Sequence, residues 1–326
     1  MNWQRIGAAA LLWFWVAAAH AADVLPSWRD GPARQALIAF VGEVTDPAGK
    51  KFVPAPERIA VFDNDGTLWA EQPMYFQVLF AFDRLRAMAP AHPEWQANPL
   101  FKAVIDNDAA AIAAAGEKGL IDIVMATHAG ASADFMAAAK AWLAQARHPQ
   151  WQRPFVSLTY QPMRELLGWL RTQGFKTFIV TGGDTEFVRA FAEREYGVPP
   201  EQVIGSRLAW ALEEADGRLQ PARTTRLDVL NDGKAKVLSI AALIGRRPIL
   251  AVGNSDGDAP MLRWASEGDG PRLAALVHHT DAQRETAYDR ESHIGRLDKG
   301  LTEAAQRGWL LIDMKRDWTE VFPALR

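Results

Sequence analysis

Cysteine is absent from all 326 residues, so neither disulfides nor thiolate metal ligands can contribute to the fold or to its chemistry. Positive charge is not in excess either: 36 Lys and Arg against 39 Asp and Glu leave a formal net charge of −3, which excludes nucleic acid as a bulk electrostatic partner. Beyond residue 21 no apolar run free of charges reaches the about 20 residues that a membrane-spanning helix needs. There is no internal repeat, and the only biased tract is the Ala-rich stretch Ala109 to Ala115. What remains is ordinary globular material, 49% hydrophobic and 23% charged, enough to bury a sizeable core by packing alone.

The first residues read as a leader. Arg5 supplies a positive start, Ile6 to Ala19 is apolar, and Ala19-His20-Ala21 places small residues where a signal peptidase reads. The expectation is a signal peptide over residues 1–21 and a periplasmic or secreted mature protein with no stable membrane association after cleavage.

Several later segments share one pattern, a short apolar run ending in Gly, Thr, Ser, Asn or Asp: "ERIAVFDNDGT", "FKTFIVTGGD", "PEQVIGSRLAW" and "RPILAVGNSDGD". Helical patterns separate them, at Pro162 to Thr172, Glu186 to Tyr196 and Ala235 to Leu243. Fully apolar strands alternating with helices predict an α/β fold, a Rossmann-like parallel sheet with both faces covered. "RLAALVHHTD" and "RGWLLIDM" are expected to finish the sheet. Polar residues at the C-terminal ends of such strands are where an open α/β sheet places its ligand. The interval from Asp63 to Thr181 far exceeds a crossover connection and is rich in helix formers, so a helical cap over residues 74–155 is expected to interrupt a core of residues 22–73 and 156–326.

The first strand, Ile59 to Phe62, runs into Asp63-Asn64-Asp65-Gly66-Thr67. An Asp-x-Asp pair alone is compatible with a turn or a helix cap. Followed by Gly-Thr at a strand end, each residue has a distinct task. Asp63 is the candidate nucleophile and metal ligand, and Asp65 the candidate general acid and base. Gly66 permits a sharp turn, and Thr67 offers its hydroxyl and amide to phosphate oxygens. A divalent cation would relieve the repulsion between the two carboxylates.

"FDNDGTLW" resembles the first signature of the haloacid dehalogenase (HAD) superfamily, most of whose members are phosphatases with an aspartyl-phosphate intermediate. "FIVTGG" resembles the second, with Thr181 as the phosphoryl-holding hydroxyl and amides around Gly182 and Gly183. "NDGKAKVLSI" resembles the third, a lysine at a helix start, where Lys236 fits better than Lys234. "ILAVGNSDGDAPML" resembles the fourth, the acidic strand end that completes a metal site. The position of the insertion resembles the phosphoserine-phosphatase-like branch with a helical cap, which makes Glu71, in the linker "AEQP", a candidate substrate contact. The resemblance implies Mg²⁺ as cofactor, held by Asp63, Asp65, Asn254 and Asp258, and a small-molecule phosphomonoester as substrate. The sequence departs from the pattern at Asn254, where the superfamily usually carries Asp; the direct ligands are then Asp63, the carbonyl of Asp65 and Asn254, with Asp258 acting through water or on the lysine, and Asp256 as the alternative. Arg189 either reaches a phosphate or covers the sheet. Adjacent His278 and His279 face opposite ways on a strand, which disfavours joint chelation and leaves His279 or Asp281 for the site's rim. Dehalogenation is disfavoured by Asp65, whose position lacks a carboxylate in that branch; a phosphotransferase or phosphomutase, or a binding module that kept the fold, are the other readings.

Overall fold

The structure, a computed structural model, describes residues 24–325; the leader expected over residues 1–21 lies outside them. Eight strands form one sheet: β1 Ile59–Phe62, β2 Gly130–Ala131, β3 Lys176–Asp184, β4 Val203–Ala215, β5 Arg218–Val229, β6 Leu250–Gly253, β7 Leu273–His278 and β8 Leu310–Asp313. Their order is β2-β5-β4-β3-β1-β6-β7-β8. From β4 to β8 every pairing is parallel, and β1, buried at all four positions, is central. Residues without polar side chains occupy it because both faces are covered by packed elements. One hydrophobic cluster gathers Ala60, Phe62, Ile179 and Val252 on one face, and a second gathers Val61, Val180, Ala251 and Leu276 on the other. This is the predicted α/β architecture, with the runs at "RLAALVHH" and "WLLID" as its last two strands.

Two features depart from the expected parallel sheet. β4 continues past its parallel segment into a long antiparallel hairpin with β5. Asp216 and Gly217 turn it, both with positive φ, 52° and 69°, the backbone that a two-residue hairpin loop of matching twist requires. The expected helix from Glu186 to Tyr196 is broken into Thr185–Arg189 and Ala192–Tyr196. The break falls at Phe191, whose ring stacks on Trp69 at 4.4 Å between centroids.

Between β1 and β3 lies the helical insertion, with helices Phe76–Met88, Pro99–Asp106, Ala109–Ala114, Gly116–His128 and Ser132–Gln145. Val78, Phe82, Leu85, Trp95, Val104 and Ile123 give it an apolar cluster of its own. It is not helical throughout: β2 pairs antiparallel with β5, so the hairpin carries the sheet into the insertion. Aromatic contacts dock it on the core, Phe76 on Trp69 at 4.8 Å and Phe80 on Phe187 at 5.3 Å. Among the described residues no helix is long and apolar enough to cross a membrane.

Candidate active site

Asp63 follows β1 directly, its amide donating to Val252 O of the neighbouring β6 at 2.9 Å. The chain then turns back on itself: Asn64 O accepts from the amides of Thr67, Leu68 and Trp69, while Gly66 N donates to Trp69 O at 2.8 Å. Gly66 has φ 73°, and a Cβ there would lie 2.0 Å from Asn254 Nδ2 and 2.3 Å from Glu71 Oε1. Only glycine satisfies both demands. His279, at the end of β7, steadies the turn by donating from Nε2 to Gly66 O at 2.8 Å, its Nδ1 facing Glu285. That is a structural role beneath the site, while His278 faces Asp289 on the other side.

Lys236 and Asp258 close the site from the other strands. Lys236, at the first turn of helix Lys234–Leu243, is buried, and its Nζ donates to Asp63 Oδ1 and to Asp258 Oδ1, each at 2.6 Å. Lys234 is exposed, so the structure selects between the two lysines. Asp258 Oδ2 accepts from the amides of Asn254 and Ser255 and from the Ser255 hydroxyl, each at 3.0 Å. Both Asp258 oxygens are thus occupied, and its contact with Lys236 is that of a residue orienting the lysine. Asp256 points away, capping the backbone of Asp298 and Gly300. Arg189 pairs with Glu186 at 2.7 Å and with Pro200 O, covering the sheet rather than reaching the strand ends, and Asp281 pairs with Arg284.

Thr181, in β3 just past the last residue paired with β1, accepts from Gly183 N at Oγ1, 2.9 Å, and its own hydroxyl hydrogen has no acceptor among the described residues. Gly182 is half-buried next to it. A Cβ on Gly183 would lie 3.0 Å from Gln77 Oε1 and 3.6 Å from Asp65 Oδ2, so this glycine leaves room between the acid and the cap rather than offering its amide. Gln77 belongs to the first cap helix, and its Oε1 accepts from Asp184 N at 2.6 Å.

Three expected roles change. Thr67 is fully buried, and its hydroxyl donates to Asn254 Oδ1 at 3.0 Å; it builds the turn rather than facing phosphate. Gly183 N is taken by Thr181, as above. Glu71 is 2% exposed, with Oε1 accepting from Asn254 Nδ2 at 2.7 Å and from Tyr288 Oη at 2.6 Å; these contacts make it a support for Asn254. Sequence reasoning also missed Trp69, which donates from Nε1 to Asp65 Oδ1 at 2.8 Å and fixes the acid's direction.

The electrostatics are those of a site short of positive charge. Among the described residues Asp63 and Asp258 share the Lys236 ammonium, and Asp65 and Glu71 are further buried carboxyls at the site. Burial, and then the Asp258 charge, hold the Asp63 carboxyl well above its ordinary value despite Lys236. Burial raises Asp65 as well, opposed by the Trp69 hydrogen bond, and raises Glu71 strongly, opposed by Tyr288. Burial works against the charge on Lys236, but Asp258 and Asp63 outweigh it and keep the lysine protonated. A carboxyl raised in the folded state binds protons that the unfolded chain has already released. Its contribution therefore falls as pH rises from the unfolded value, 3.8 for Asp63 and 4.5 for Glu71, toward the folded one. In EDTA the melting temperature is expected to decline as pH rises above about 5; a flat or rising profile would contradict this charge balance.

The donor set suits a hard divalent cation. It is all oxygen, and it carries uncompensated negative charge. No group of three His, Cys, Asp or Glu side chains forms a cage among those residues. Mg²⁺ characteristically uses one or two carboxylates and completes its shell with water and substrate phosphate, so the residues present fit it.

Comparison with known proteins agrees with this geometry. Residues 60–263 match the family model of haloacid dehalogenase-like hydrolases. No curated protein matches the chain. Among solved structures, a conserved protein of unknown function from Anaerococcus prevotii is similar at 16% identity and TM-score 0.55, covering 85% of this chain and 90% of its own. A protein of unknown function from Bordetella pertussis is 19% identical at TM-score 0.49, with 79% and 99% covered. A phosphoserine phosphohydrolase-like protein from Francisella tularensis is 17% identical at TM-score 0.38, with 77% and 98% covered. At 16% identity the likeness to the Anaerococcus prevotii protein concerns the fold alone.

Proposed function

The chain belongs to the haloacid dehalogenase-like hydrolases, and from that premise we propose that it is a Mg²⁺-dependent phosphomonoesterase that works through a phosphorylated Asp63. The observation that carries the reading is the disposition of Lys236, 2.6 Å from Asp63 Oδ1. It anchors one carboxylate oxygen and leaves Oδ2 free as the attacking atom.

Asp63 Oδ2 attacks phosphorus, and the bond from phosphorus to the ester oxygen breaks. Asp65, kept protonated more readily by burial and aimed by Trp69, donates its proton to that leaving oxygen. The same carboxylate then takes a proton from water as its oxygen attacks phosphorus, and the bond from phosphorus to Asp63 breaks to release inorganic phosphate. Lys236 and the Thr181 hydroxyl bind the equatorial phosphoryl oxygens, where negative charge is spread in the transition state. Asp63, the backbone carbonyl of Asp65 and the amide oxygen of Asn254 are the groups that would hold Mg²⁺, which when bound supplies charge neutralisation for the phosphoryl group.

The helical insertion between β1 and β3 supports placement in the phosphoserine-phosphatase-like branch, with Gln77 at the boundary between cap and acid. The leader's composition supports export. Purified protein is expected to release phosphate from p-nitrophenyl phosphate with Mg²⁺ and to stop in EDTA. Undiminished release in EDTA, or no release from a panel of phosphomonoesters, would count against the reading.

A further inference from the structure

Asn254 is buried among groups that hold both ends of its amide. Its Oδ1 accepts from the Thr67 hydroxyl at 3.0 Å, and its Nδ2 donates to Glu71 Oε1 at 2.7 Å. A hydroxyl serves an amide in either orientation, because it donates to oxygen or accepts from nitrogen. Glu71 Oε1, which also accepts from Tyr288 Oη, meets Asn254 as an acceptor, so of the two partners Glu71 alone distinguishes the orientations.

The fold invests in the placement of that carboxylate. Gly295 approaches so closely that a Cβ there would lie 1.9 Å from Glu71 Oε1, and Tyr288 donates to the same oxygen at 2.6 Å. Tyr288 is itself stacked on His279 at 4.3 Å between centroids. Gln72, the next residue, donates to Ile294 O at 3.0 Å. The segment after β7 thus straps the cap linker to the catalytic turn with Glu71 at the crossing.

We infer that Glu71 is a positioning residue, which locks the Asn254 amide so that its oxygen, and not its NH₂ group, is the end presented at the cation site. The inference rests on the Mg²⁺ reading given above. A reversed amide would aim two N–H donors at the cation and withdraw a ligand. The carboxyamide of Gln reproduces the acceptor at Oε1 for both Asn254 and Tyr288. Asp keeps the charge but retracts the acceptor by one methylene.

Binding of Mg²⁺ alone, without substrate, separates orientation from mere negative charge. It is measured by calorimetry and by the metal-dependent rise in melting temperature. Glu71→Gln is expected to bind Mg²⁺ within about threefold of the wild type, and Glu71→Asp about tenfold or more weakly, the range seen when second-sphere partners of metal ligands are removed. Glu71→Ala, which lacks any acceptor, is expected to match Glu71→Asp and serves if that variant does not fold. If Glu71→Asp or Glu71→Ala binds as tightly as Glu71→Gln, the inference is overturned while the metal reading stands. If the wild type gives neither heat nor a melting shift, the metal reading itself has failed and the inference falls with it.

Discussion

Asp63→Asn is expected to lower kcat for phosphate release by about 10⁴-fold or more, the scale reported when a covalent nucleophile is removed. The substitution is nearly isosteric. It deletes the negative charge and the nucleophilic lone pair of Oδ2 while leaving an oxygen for Lys236, whose other partner, Asp258, is untouched. Folding is not expected to suffer. Burial already disfavours the charged form of Asp63, and removing one of several buried carboxylates relieves repulsion. The combined signature is therefore lost turnover with an unchanged or higher melting temperature. A variant retaining activity within about tenfold of the wild type would remove Asp63 from the reaction.

Lys236→Met is expected to damage both stability and turnover. Its ammonium is the shared partner of two buried carboxylates. Removing one member of a buried ion pair costs about 3–5 kcal/mol, because the remaining charge is left without a partner or solvent. The loss is expected to be smaller near about pH 5 than near about pH 8, since protonation of Asp63 discharges one carboxylate and Asp63 titrates well above its ordinary value. Denaturant unfolding at the two pH values checks this. Turnover is expected to drop about 10²–10³-fold, the effect of losing one preorganised charge stabiliser. Equal destabilisation at both pH values would mean that the lysine does not hold the carboxylates in place.

The parts legible in the sequence were those written locally. β1 and the Asp63 to Thr67 turn are contiguous, and their apolar run, paired carboxylates and glycine each follow from a short-range requirement. The helical insertion announced itself by the length of chain between two strands. The sequence favoured Lys236 over Lys234, and the structure buries Lys236 and exposes Lys234; residues two apart on a helix face nearly opposite ways, so only one of them reaches the site. The hydrogen bonds of Thr67 and Glu71 come from Asn254 and Tyr288, far away in the chain, whereas their places in the motif and the linker had suggested contact with substrate. The β4–β5 hairpin did carry a readable sign, Asp216-Gly217 between strand-forming runs. Its strand β5, "RLQPARTTRLDV", is too polar to stand out against apolar parallel strands. It extends the sheet to the insertion, and Arg223 on it is buried against Phe135 at 3.7 Å while pairing with Asp184. A charged residue in that setting is invisible to hydrophobic patterning.

The central claim is that a phosphoryl group passes through Asp63. Mixing the protein with Mg²⁺ and a fast-reacting phosphate ester, quenching in acid within the first turnover and mapping the peptides by mass reads that step directly. The account predicts one added phosphoryl group on the peptide that contains Asp63, lost on treatment with hydroxylamine and absent from Asp63→Asn. Phosphate release with no labelled peptide at any quench time, or a label on another residue, would contradict it.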